Sequence, residues 1–151
     1  MKPQASRWVR GVVVGVALVL GAGCNGTKDE VKGLATAVDA YRKAPNEKKP
    51  ELADALDKVP CTDPEVCDAK SACTKSADET AKGLRLQSDL AKRLEDVKAG
   101  KILPGSPEAL KISLDVSEAD ELLANGLKDL DECDNRLIKL RVKYNLPAAP
   151  P

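Results

Sequence analysis

The chain has 151 residues with 24 basic and 24 acidic side chains and a formal net charge of zero, so it has no basic surplus for displacing counterions from a nucleic-acid backbone. It contains no histidine, which removes Ser-His-Asp and Cys-His catalysis and histidine-held metals from this polypeptide. Phe is absent, and one Trp and two Tyr are too few rings for stacking bases or sugars.

Lys2, Arg7 and Arg10 precede an apolar run from Gly11 to Gly23, and this order of charge, apolar residues and small residues is that of an export signal. A retained membrane span is disfavoured, because about 20 apolar residues are needed to cross a bilayer and this run holds fewer. Plain secretion after cleavage near Ala22 and Gly23 is the other competing reading. The ending Ala22-Gly23-Cys24 resembles the lipobox of bacterial lipoproteins. That resemblance implies cleavage before Cys24, a Cys24 thiol joined to diacylglycerol, and a product held to a membrane of the cell envelope by its acyl chains. Residues 1–23 are then the lipoprotein signal peptide and residues 24–26 the lipid-anchored start of the mature chain. Asn25 stands where many Gram-negative lipoproteins kept in the inner membrane carry Asp, so the expected address is the outer membrane. Loss of residues 1–23 removes Lys2, Arg7 and Arg10 and no carboxylate, leaving 21 basic against 24 acidic groups.

Residues 27–145 read as one helical domain. With few aromatic rings its core must come from Leu, Val and Ala, and Ala and Leu with interspersed Lys, Glu and Asp favour helix, so the fold class is all-α. Thr27 to Glu30 has the form of a capping box, which predicts a helix start there. Val31, Leu34, Val38 and Tyr41 then share one stripe. Pro45 and Pro50 interrupt it, and Pro50 suits the first turn of a short segment edged by Leu52, Leu56 and Val59. Asp63-Pro64-Glu65 predicts the start of a long helix whose stripe is Cys73, Ala77, Thr80, Leu84, Ala91 and Leu94, widened by Leu90 and Val97. It ends near Gly100, before Pro104-Gly105-Ser106-Pro107. In the last helix Val116, Ala119, Leu123, Gly126, Leu130, Cys133, Leu137, Leu140 and Tyr144 alternate steps of three and four, as in a bundle seam. Its start is open: Ser106 and Ser117 are both cap candidates, and Leu110, Ile112, Leu114 and Val116 alternate as in a strand. Residues 146–151 read as a Pro-rich flexible tail. The expected architecture is a small antiparallel three-helix bundle, or a helical hairpin with an additional N-terminal helix.

Five cysteines leave an odd thiol in an oxidising compartment unless one is occupied. Lipidation of Cys24 leaves an even set for disulfides. An antiparallel hairpin with its turn near residues 102–104 sets Cys73 opposite Cys133, Leu84 opposite Leu122, Leu90 opposite Val116 and Leu94 opposite Ile112. The expected bridges are therefore Cys73–Cys133 between helices and Cys61–Cys67 locally, one of the three pairings that four cysteines allow. Zinc sites usually pair cysteines two to four residues apart, unlike Cys61, Cys67 and Cys73, so no metal is expected. No cofactor is expected either.

Asp129, Asp131, Glu132 and Asp134 lack the glycine-bent loop of an EF-hand and read as a solvated face. Arg42, Lys43, Lys48 and Lys49 read as a solvated helix end and linker. The expected function is non-catalytic: a lipid-anchored structural, tethering or protein-interaction module with an envelope protein as partner and no nucleic acid. The alternative is a periplasmic carrier or chaperone-like binder of an apolar ligand or peptide.

Overall fold

The computed structural model describes residues 23–148, with side chains from Gly26 onward. The expected export signal, save Gly23, lies outside the described residues, as do the Cys24 side chain that would carry lipid and the last residues of the Pro-rich tail. The elements are α1 (Gly23–Lys43), a 3-10 turn (Asn46–Lys48), α2 (Lys49–Asp57), α3 (Pro64–Lys98) and α4 (Pro107–Lys143). The fold is all-α and disulfide-stapled, with no strand among the described residues.

The helix starts follow the local chemistry. Asp63 accepts from the Glu65 and Val66 N–H groups, with Pro64 in the first turn of α3, so a side chain satisfies backbone donors that the helix leaves unpaired. Ser106 does the same for the Ala109 N–H at the start of α4. That cap settles residues 108–116 as helix. Of the four alternating apolar residues only Ile112 is buried, while Leu110 and Leu114 are 63% and 70% exposed, so the alternation does not mark a two-faced strand. Ser117 lies inside α4, its hydroxyl donating to the Ser113 carbonyl. Gly100, with φ of 73°, ends α3 in the left-handed conformation that glycine adopts without steric cost.

The expected capping box at Thr27 is not formed, because α1 already runs through that position. Glu30 instead accepts from the Thr62 N–H at 2.9 Å, the Thr62 hydroxyl at 2.5 Å and the Asp63 N–H at 3.2 Å. These bonds, the Thr62 hydroxyl foremost, hold its carboxyl below the usual range. A charged acceptor facing the free donors ahead of α3 makes stronger bonds than a reach back to its own helix would.

α3 and α4 form an antiparallel hairpin, and at 1.5 Å per residue their 35 and 37 residues extend about 52 and 55 Å. They approach closely because small residues meet. A Cβ on Gly126 would lie 3.0 Å from the Thr80 backbone nitrogen and 3.2 Å from the Ser76 carbonyl oxygen. The Ser76 hydroxyl, itself buried, donates to the Gly126 carbonyl at 2.7 Å. At Gly83 the same space is filled by Leu123. Cys73 and Cys133 are joined across this interface with Cα atoms 4.5 Å apart, and Cys61 and Cys67 are joined at the start of α3. The hairpin alignment sets the first pair together, and the second is the local pair that it leaves.

α1 and α2 cover the half of the hairpin where α3 starts and α4 finishes. The main core joins Val31, Leu34, Val38 and Tyr41 of α1, Ala53 and Leu56 of α2, Val66, Ala69, Cys73, Ala77 and Ala81 of α3, and Cys133, Leu137 and Leu140 of α4. Two ion pairs fasten α1 to α4. Arg141, 5% exposed, donates twice to the Asp39 carboxylate at 2.7 and 2.8 Å, and Arg42 pairs with Asp134. Arg42 is therefore part of a packed interface and not of a solvated helix end; burial lowers its pKa. The tail begins later than expected, since Leu146 packs on the core and the Pro147 carbonyl accepts from Arg141.

The expected core stripe of α3 stops short: Ala91 is exposed and Leu94 is 42% exposed. Towards the hairpin turn only a small cluster of Leu90, Ile112 and Ala119 is buried, with Leu86, Val97 and Ile102 against it.

The close crossing makes an opposite-sign prediction for two glycines. Gly126→Ala should lower the unfolding free energy of the oxidised protein in urea by about 1–3 kcal/mol, as overpacking against backbone does. Gly33→Ala, whose added Cβ would meet nothing within 4 Å, should raise it by up to about 1 kcal/mol. Equal effects at the two positions would contradict the crossing.

Candidate interaction surface

α1, with 21 residues, is about 31 Å long and cannot cover a hairpin of about 52 Å. Its last turn lies beside Ala77, whose carbonyl accepts from the Tyr41 hydroxyl at 3.4 Å. One heptad on, Leu84 borders a depression together with Asn46, Glu47, Pro50, Arg85, Gln87, Ser88, Asp89 and Lys92. A further heptad on, Ala91 belongs to a second depression with Gln87, Leu90, Leu94, Val116, Ala119 and Asp120. Gln87 borders both. Residues seven apart share a helix face, so the groove at Ala91 lies on the stripe of Ala77 and Leu84, past the last turn of α1.

This groove has an apolar floor, with Gln87 and Asp120 as its polar border. Leu94 and Val116 are 42% and 41% exposed across it. On the α4 edge Arg141, Asp134, Leu127 and Asp120 follow at seven-residue steps. The first two hold α1, Leu127 is exposed, and Asp120 makes no ion pair with another described residue. On the α3 edge Arg85 donates to the Pro50 carbonyl and to Asp54 of α2, and Lys92, seven residues further, makes no ion pair with another described residue.

The other side of the hairpin near its turn is braced by a buried carboxylate. Asp115 accepts from Lys111 at 2.7 Å and Arg93 at 2.5 Å, and Arg93 reaches the Glu108 carbonyl. The Arg93–Asp115 pair ties α3 to α4 near their turn.

A separate depression is bordered by the Cys61–Cys67 pair with Asp57, Lys70, Ser71, Lys75, Asp78, Glu79 and Lys82. Burial raises the Asp78 carboxyl while Lys82 opposes the shift. Cations and carboxylates alternate around it, so it concentrates neither sign. Of the acidic group on α4, Asp129 pairs with Lys75, Glu132 with Arg136 and Asp134 with Arg42. These carboxylates are thus largely used in ion pairs across or along the helices. No set of three or more Cys, Asp or Glu side chains placed to hold a metal ion is found among the described residues. No helix among them is long and apolar enough to cross a membrane.

The groove was hidden in the sequence because Ala91, Leu94 and Val116 continue the core spacing without a break. The signal that betrays it is length, since two short helices cannot cover two long ones.

The Asp115 brace sets a pH dependence. The hydrogen bond from Lys111 and then that from Arg93 hold its carboxyl below the ordinary value of 3.8. A depressed folded-state pKa contributes stability that is present above the unfolded pKa and is lost as pH falls through it towards the folded value. In unfolding titrations across this acidic range, Asp115→Asn should give a shallower loss of stability with falling pH than the parent chain. Parallel curves would show that the brace contributes nothing.

Comparison of the chain with protein-family models, with curated proteins and with solved structures finds no match.

Proposed function

We propose that this chain is a lipid-anchored protein of the cell envelope that acts as a non-catalytic tethering or interaction module, held by acyl chains on Cys24. The observation that carries the proposal is the sequence of basic head, apolar run and Ala22-Gly23-Cys24 ending, and the polarity of the molecule is compatible with it. Glu30, six residues after Cys24, is bonded to Thr62 and Asp63 at the start of α3, so α1 begins at the end of the hairpin remote from its turn. An anchor at Cys24 leaves the covered, disulfide-stapled half next to the membrane and carries the bare groove outward.

Two acyl chains suit such a role, since each buried methylene contributes about 0.8 kcal/mol and a single chain holds only marginally. The carrier alternative requires helices to part around an apolar ligand or peptide, and parting of α3 from α4 is one such opening. The Cys73–Cys133 bond and the Ser76–Gly126 hydrogen bond oppose that opening.

The test is fractionation of the bacterial envelope with mass measurement of the product. The parent chain is expected in the membrane fraction, cut before Cys24 and heavier by its acyl groups, whereas Cys24→Ser is expected uncut or soluble and without added mass. Unchanged processing and sedimentation after the substitution would overturn the proposal.

A further inference from the structure

We propose that the Cys61–Cys67 pair is a site of thiol–disulfide exchange, opened by a dithiol reductant, and that its opening releases the start of α1 while the Cys73–Cys133 staple stays closed. This goes beyond the interaction-module reading and holds whether or not Cys24 carries lipid.

The two bridges differ in access. Cys73 and Cys133 are 3% and 1% exposed, inside the contact of α3 with α4. Cys61 and Cys67 are both partly exposed, and they border an open depression that carries cations and carboxylates alike. Exchange requires a thiolate to reach a disulfide sulfur, so an exposed bridge is labile where an enclosed one persists.

Position gives the exposed bridge a consequence. Between its two cysteines, six positions apart, stand Thr62 and Asp63, the residues that donate to Glu30. Cys67 is held without the bridge, since its N–H donates to the Asp63 carbonyl at 2.9 Å at the start of α3. Cys61 lies in the segment between α2 and α3, outside any helix. The bridge thus ties that segment back onto α3 and keeps the Thr62 N–H and hydroxyl where Glu30 accepts from them. Farther along α1 the polar ties are Asp39–Arg141 and Arg42–Asp134, which reach α4 and do not involve the bridge. Opening it therefore loosens α1 at the end next to Cys24 and leaves the far end docked.

The step balances as a two-electron exchange. A thiolate of the dithiol bonds to one sulfur of the pair, and the Cys61–Cys67 bond breaks with its electron pair on the other sulfur, which takes a proton from solvent. The second thiol of the reductant loses its proton, attacks the mixed disulfide and frees the remaining cysteine as a thiolate, which is protonated in turn. The reductant ends as a disulfide and the chain as two thiols. A more oxidising disulfide reverses the step by taking the electrons back.

The experiment uses the purified, oxidised full-length chain, with any free Cys24 thiol first capped by N-ethylmaleimide. It is treated with dithiothreitol under native conditions, quenched with acid, alkylated and mapped by mass spectrometry, and the product is followed by amide hydrogen exchange. Cys61 and Cys67 should be labelled about tenfold faster than Cys73 and Cys133, whose enclosed bridge must await local opening. In the half-reduced chain, exchange at residues 26–31 and 61–63 should rise about tenfold, as loss of one hydrogen bond to a charged acceptor allows. Exchange around Cys73 and Cys133 should not change. Cys61→Ser combined with Cys67→Ser should reproduce that pattern without reductant. Glu30→Ala in the oxidised chain should reproduce it at α1 and leave the labelling order as it was. The proposal is overturned by equal labelling of the two bridges, by earlier labelling of Cys73 and Cys133, by unchanged exchange at α1 in the opened chain or in either variant, or by a rise spread over the whole chain.

Discussion

The contact between α3 and α4 at their small residues is the constraint from which the rest of the molecule follows. Gly126 and Gly83 let the backbones approach, Ser76 bridges to the Gly126 carbonyl, and the Cys73–Cys133 bond fixes which turns face each other. Without aromatic rings in quantity, the buried area per residue is small, so covalent closure matters more than in a core rich in Phe. Chain-entropy reasoning gives roughly 4 kcal/mol for closing a loop of the length between Cys73 and Cys133 and about 2 kcal/mol for the short Cys61–Cys67 loop. The hairpin is therefore a stapled frame against which the other helices dock.

Docking on that frame is mixed in character. Apolar residues of α1 and α2 supply the buried area, while Asp39–Arg141, Arg42–Asp134 and the Glu30 bonds to Thr62 and Asp63 set the position of α1 along the hairpin. A buried pair such as Asp39–Arg141 contributes little net stability against an apolar alternative, yet is costly to break one-sidedly. Its effect is to fix one register. The frame is longer than the layer that covers it. A bare apolar stretch towards the hairpin turn follows from this mismatch in helix length.

Much of this was legible in the sequence. The three-and-four spacing through Ala119, Gly126, Cys133 and Leu140 reflects a face that meets α3 throughout, joined by α1 only near Leu137 and Leu140. The same spacing failed at Ala91 and Leu94, because periodicity records which residues share a face and is silent on whether anything lies over that face. The strand-like alternation over residues 108–116 gave way to the Ser106–Pro107 cap, a local signal of greater weight than hydrophobic order. Glu30, Asp39, Arg42 and Arg141 could not be assigned because their partners lie between 32 and 102 residues away, and single charges carry no period. The side chain of Cys24 lies outside the described residues, so its role stands on its motif.

Peptide mapping of the unreduced protein by mass spectrometry reads the frame directly. The account predicts that the peptide containing Cys73 is recovered joined to that containing Cys133, with Cys61 joined to Cys67. Recovery of Cys133 joined to Cys61 or to Cys67 would place different turns of α3 and α4 opposite each other and contradict the hairpin register on which the core, the α1 docking and the groove all depend.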